Sequence, residues 1–180
     1  VRSSGRAAPI GALAVVAVLV GACGPDRPPT ADGPTALEAN ATVVRVVDGD
    51  TIVAEVDGES ERVRFIGIDT PESVRPGSPV ECFGKEAAAH TARLLPEGTP
   101  IRLELDVEPR DRYDRLLAYV YRAGDGEFVN LALVRDGFAN PYTVPPNVAH
   151  EPEFRAAARV ARATGAGLWS ACPDDGNPGG

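Results

Sequence analysis

The sequence predicts an α+β domain built on a small β-barrel, and three observations point there. Five short segments between residues 42 and 122 are rich in β-branched and aromatic residues or alternate apolar with polar positions. Two Asp-Gly pairs sit between the first three of them, where tight turns would join neighbouring strands. Three other segments carry helix formers instead, interspersed with and following the strands. The length of 180 residues, with 43% hydrophobic and 24% charged side chains, suits one globular core.

The chain begins with Arg2 and Arg6 before PIGALAVVAVLVGAC, an uncharged apolar run ending in small residues and Cys23. Residues 1–22 read as a signal peptide. The run from Ile10 to Val20 is shorter than the roughly 20 apolar residues a membrane-spanning helix needs. LVGAC resembles the lipobox of bacterial lipoproteins, which implies export and a lipid anchor in the membrane at Cys23; a plain secretory peptide is the alternative. Residues 23–40, rich in Pro, Gly and small polar residues, read as a disordered tether, and 173–180 as a disordered tail. That leaves 41–172 as the folded domain.

Strands are expected at 42–47 and 51–56 around Asp48-Gly49-Asp50, and at 61–68 after Asp57-Gly58, completing a meander. Glycine suits such turns because it accepts a positive φ. The second carboxylate, Asp50, is not explained by turn geometry. A period of two places Val63 and Phe65 on one face of the third strand, with Arg64, Ile66 and Ile68 on the other. GKEAAAHTARLL predicts a helix over 84–95, stopped by the following proline. Residues 101–107 and 115–122 read as the fourth and fifth strands. VNLALVRDGF predicts a short helix with Asn130 as its cap and Gly137 as its stop. The last helix is expected over 151–164, ended by glycines, with Trp169 packed behind it.

Charge and cysteines narrow the function. Residues 41–172 hold 21 acidic and 15 basic side chains, a balance of −6, which excludes capture of nucleic acid by a broad basic footprint. A polyanionic ligand would have to be held by a few placed arginines and a cation. Cys82 and Cys172 form an even pair in a chain read as exported, so a disulfide is expected, with two buried thiols as the alternative. Such a bridge is worth roughly 4 kcal/mol in the chain-entropy model. His90 and His150 make a poor zinc set with these cysteines and read as surface or helix-face residues.

Two segments carry charges that a structural reading leaves loose. Asp69-Thr70-Pro71-Glu72 has the form of a helix start, yet Ser73 to Pro79 contains two prolines and a glycine, so no helix can follow. Arg115 stands at the mouth of the fifth strand, where a solvated arginine is the ordinary expectation. Together with DGDT, the segments VRFIGIDTPE, FGKEA, DRYDRLLAYVY, VNLALVRDGFA and GLWS resemble the staphylococcal nuclease family, in the family's order and across nearly all of 41–172.

The resemblance implies a five-stranded OB-fold barrel with three helices and calcium-dependent hydrolysis of phosphodiesters in DNA and/or RNA. Asp50 and Asp69 match the calcium-binding carboxylates, and Thr70 the residue whose backbone carbonyl joins them. Glu72 matches the general base, Arg64 and Arg115 the two catalytic arginines. Tyr113 matches a tyrosine beside the bound phosphate, and Tyr142 another near the nucleotide. The chemistry of these residue types agrees: calcium prefers hard oxygen ligands, a guanidinium meets a five-coordinate phosphorus with two hydrogen bonds, and a carboxylate serves as base where no histidine is placed. Three features depart from the family pattern. Asp114 replaces a glycine before Arg115, tolerating positive φ but bringing a charge expected to pair with that arginine. The loop FANPYTVPPN is one residue shorter, and Lys85 is the sole lysine. A calcium-dependent nuclease acting as a monomer is therefore expected; the alternative is a non-catalytic OB-fold module that binds nucleic acid or another ligand at the cell surface.

Overall fold

In the computed structural model, which describes residues 36–73 and 79–172, the chain runs β1 (Ala41–Val46), β2 (Thr51–Val56), β3 (Glu59–Phe65), β4 (Ile68–Asp69) and α1 (Gly84–Leu94). It continues through β5 (Pro100–Glu104), β6 (Leu116–Arg122), α2 (Val129–Arg135), β7 (Asn140–Pro141), α3 (Glu151–Thr164) and α4 (Leu168–Ala171). The expected signal peptide, Cys23, the tether up to residue 35 and the tail lie outside the described residues. Among the described residues, no helix is long and apolar enough to cross a membrane.

Five strands close into a barrel in the order β1-β2-β3-β6-β5, as an OB fold requires, and β4 pairs with β7 in a separate small ladder. Buried positions recur at period two in β1 (Ala41, Val43), β3 (Val63, Phe65) and β5 (Ile101, Leu103), whereas Thr51–Ala54 of β2 and Ala118–Val120 of β6 are buried without a break. The Val, Leu, Ile and Phe side chains among them contribute about 1.5–3 kcal/mol each on burial. Helix α2 buries Val129, Ala132, Leu133 and Val134, and α3 buries Phe154 and Ala161. α1 buries only Gly84, Ala87 and Thr91, and Thr91 donates its hydroxyl to the Gly49 carbonyl at 2.6 Å, which ties the helix to the β1–β2 turn.

The structure corrects several expectations. β3 stops at Phe65, and positive φ at Gly67 starts a new direction, so Ile66 and Ile68 are buried in the core and do not share an outer face with Arg64. Asn130 is not a helix cap: Phe128 holds that position, and Asn130 is fully buried, accepting from the Val120 amide and donating to the Ile66 carbonyl, both at 2.9 Å. A fourth helix, α4, ends the domain, with the Arg162 guanidinium 4.2 Å from the centre of the Trp169 ring. Cys82, just before α1, is joined to Cys172 at the end of α4, across 90 residues. Both histidines are half-buried, His90 on α1 and His150 at the start of α3. His90 stacks on Phe138 at 3.9 Å, and His150 packs edge-on against Tyr119 at 4.5 Å.

Candidate active site

The two Asp-Gly turns differ in kind. Asp57 and Gly58 both adopt positive φ, as a tight hairpin turn requires. Gly49 does not; a Cβ there would stand 2.5 Å from the Thr70 hydroxyl oxygen. Close approach to Thr70, and not backbone handedness, is what demands glycine at 49. The contact brings the β1–β2 turn against the segment following β4, and with it Asp50 against Thr70.

Asp50 is buried, and one of its oxygens accepts from the Thr70 amide at 2.8 Å and the Thr70 hydroxyl at 3.1 Å. Its other oxygen accepts from the Thr51 hydroxyl at 3.2 Å. Register does the rest: Arg64 lies opposite Thr51 across the β2–β3 pair and opposite Leu117 in the parallel β3–β6 pair. Asp50, Arg64 and the start of β6 are thereby adjacent. The Arg64 guanidinium spans two carboxylates, at 3.1 Å from Asp50 and 2.7 Å from Asp69, and also donates to the carbonyls of Phe65 and Ile68 at 3.0 and 2.9 Å. Those two carbonyls are exposed to it by the same break at Gly67 that turns Ile66 and Ile68 inward.

Six of the residues singled out in the sequence, Asp50, Arg64, Asp69, Thr70, Glu72 and Arg115, line one polar cleft of about 330 Å³. Asp48 and Glu81, which the sequence did not single out, line it too. Burial and the neighbouring Asp50 carboxylate push the Asp48 carboxyl up to about 6. Glu81 braces Glu72: the Glu72 amide donates to a Glu81 carboxylate oxygen, and the Glu81 amide to the Glu72 carbonyl, both at 2.9 Å. Among the described residues, no group of three or more His, Cys, Asp or Glu side chains is arranged to hold a metal ion. Asp50 and Asp69 are brought together on the Arg64 guanidinium at the wall of this cleft. Their hard carboxylate oxygens suit calcium.

Arg115 borders this cleft and a second, mostly apolar cavity of about 180 Å³, which Arg64, Tyr142, Val144 and Asn147 also line. Tyr142 is thus beside the candidate site, whereas Tyr113 is 65% exposed and lines neither cavity, with the Arg115 guanidinium 5.7 Å from its ring centre. Asp114 adopts the positive φ expected of it. Its carboxylate does not pair with Arg115; it lies 3.7 Å from Arg110. The partner of Arg115 is Asp111, at 2.7 Å from Nε. No signal in the sequence separated Asp111 from the other surface acids, because a lone aspartate at the start of a turn is ordinary turn chemistry.

A closed five-stranded barrel of this order, with carboxylates and two arginines on one cleft beside it, defines the chain as an OB-fold protein. A family model described as staphylococcal nuclease homologue matches residues 62–171, and the chain belongs to that family. It is 43% identical to a thermonuclease of Staphylococcus intermedius over 127 residues, covering 71% of this chain and 74% of the relative. A thermonuclease of Staphylococcus hyicus is 39% identical over 135 residues, 75% and 78% of the two chains. Endonuclease YncB of Bacillus subtilis is 37% identical over 133 residues, 73% of this chain and 62% of the relative.

Proposed function

We propose that this protein is a calcium-dependent nuclease that hydrolyses phosphodiesters of DNA, RNA or both by attack of water. The nuclease class follows from family membership and from relatives named thermonuclease and endonuclease. The observation that carries the reading is the convergence of Asp50, Asp69, Arg64, Glu72 and Arg115 on one polar cleft. Asp50 and Asp69 would hold the cation together with the Thr70 carbonyl. Bound calcium supplies a Lewis acid and a template for a phosphate oxygen. Glu72, braced by Glu81, takes the proton of the attacking water. Arg64 and Arg115 meet the negative charge that builds on the phosphoryl oxygens, while Tyr142 and the apolar cavity beside it take the adjoining nucleoside. The Arg-flanked apolar run ending in Cys23 supports export and lipid anchoring of this domain; mass spectrometry of membrane-extracted protein should find a mature chain starting at a lipidated Cys23.

Two substitutions test the chemistry. Glu72→Gln keeps size and most hydrogen bonding, so single-turnover cleavage of a labelled oligonucleotide should fall about 10²- to 10⁴-fold while calcium binding by calorimetry persists. Asp50→Asn should weaken calcium binding and rate together. Cleavage at the parent rate in Glu72→Gln removes Glu72 from the mechanism. A parent domain that cleaves neither DNA nor RNA at any calcium concentration makes this a binding module.

A further inference from the structure

The two site arginines are held differently. Both Nη atoms of Arg64 are engaged, by Asp50, Asp69 and two carbonyls. Arg115 has its hydrogen bond and ion pair at Nε, to Asp111 at 2.7 Å, with the Tyr113 ring 5.7 Å from the guanidinium, and among the described residues no hydrogen bond or ion pair engages either of its Nη atoms. The same carboxylate sets the turn that carries Arg115. Asp111 Oδ1 accepts from the amides of Tyr113 at 2.9 Å and Arg115 at 3.0 Å, and the Asp111 amide donates to the Arg115 carbonyl at 3.0 Å. Arg110 supports that turn, donating to the Asp114 carbonyl at 3.0 Å while bound by two hydrogen bonds to Glu61 of β3. Burial would raise the Asp111 carboxyl, but the hydrogen bonds from Arg115 and Tyr113 outweigh it and hold the group below its ordinary value.

We propose that Asp111 is the positioning residue for Arg115: it fixes the guanidinium through Nε so that the free Nη edge faces the cleft where phosphoryl charge develops. An arginine held at one edge and open at the other is pre-organised for a two-point contact with an anion, and this costs no rearrangement when charge appears. The inference rests on the nuclease reading for its consequence in rate, but its geometry stands apart from turnover.

Asp111→Asn separates the two tasks of the side chain. Its retained oxygen still caps Tyr113 and Arg115, while its amide nitrogen, a donor, cannot accept from Nε. In the full protein with calcium, kcat on a labelled oligonucleotide should fall about 10- to 100-fold in Asp111→Asn, with KM within about threefold, as for an interaction made in the transition state. In an Arg115→Ala background the same change should alter kcat less than about twofold, because Asp111 then has nothing to orient. Equal losses in both backgrounds, or no loss in the parent background, overturn the proposal. A nitrogen-15 arginine spectrum reads the pairing without turnover. The Arg115 Nε–H should resist solvent exchange in the parent and lose that protection in Asp111→Asn. Absence of protection in the parent overturns the proposal whether or not the protein cleaves, whereas protection in a parent that cleaves nothing upholds the pairing and overturns the nuclease reading alone.

Discussion

Asn130 shows what a single buried amide does in this barrel. The sequence placed it at a helix start, where asparagine is common, and that local habit concealed a long-range role. Its side chain ties the Val120 amide of β6 to the Ile66 carbonyl at the end of β3, so it closes backbone groups that the interrupted third strand leaves without ladder partners. Asn130→Ala removes both partners at a fully buried position. Leaving buried polar groups unsatisfied costs about 1–3 kcal/mol each, so urea unfolding should show a loss of about 2–4 kcal/mol. Asn130→Asp should be at least as damaging, because it sets an anion against the Ile66 carbonyl. Asp111 was hidden for a related reason: its carboxylate acts on an arginine four residues on through a turn whose shape only the folded backbone reveals. Asp50, Asp69, Glu72, Arg64 and Arg115 were legible through motif resemblance, since their order along the chain survives even though they meet only in three dimensions.

Among the elements, the barrel strands were the most legible, because β-branched and aromatic runs bounded by turn residues mark them, with alternating burial in β1, β3 and β5. The β4–β7 ladder was not: each strand has two residues, and neither carries a period. The start of α2 was expected two residues late, with its cap at Asn130 where Phe128 holds it, whereas α3 was placed at 151–164 as observed. α1 is held less by its own apolar face than by particular contacts, among them His90. That imidazole stacks on Phe138 and lies 3.3 Å from Asp136, with Arg93 and Arg135 nearby. Burial lowers its pKa from the ordinary 6.5; Asp136 opposes this, and Arg93 and Arg135 add to the lowering. A folded value below the unfolded one means that the fold prefers the neutral ring. The stability this contributes is complete above the unfolded pKa and is lost as pH falls through that value towards the folded one. Thermal unfolding followed from pH 7.5 to pH 5 should therefore lose less stability in His90→Phe than in the parent. An equal or steeper decline in the variant would remove His90 as a source of acid sensitivity.

At the scale of the molecule, an acidic chain is set to handle a polyanion. The net charge is −8, and most of the arginines near the cleft are already paired with carboxylates. Long-range attraction therefore cannot gather the substrate, and on the proposed reading affinity has to come from contacts at the cleft and from a cation that Asp50 and Asp69 would hold. The salt dependence of binding measures this. Each phosphate neutralised by protein charge contributes roughly −0.7 to the slope of log K against log salt for single strands and −0.9 for duplex DNA. With Arg64 and Arg115 as the phosphate contacts, the slope should lie at about −1 to −2. The measurement uses a fluorescent oligonucleotide and the Glu72→Gln protein at fixed saturating calcium, so that binding is read without cleavage. Removing calcium should weaken binding sharply, because the acidic cleft then faces the phosphate without its cation. A slope steeper than about −4, or unchanged affinity in chelator, would show a basic surface engaged beyond the cleft and would overturn the picture of capture by local contacts.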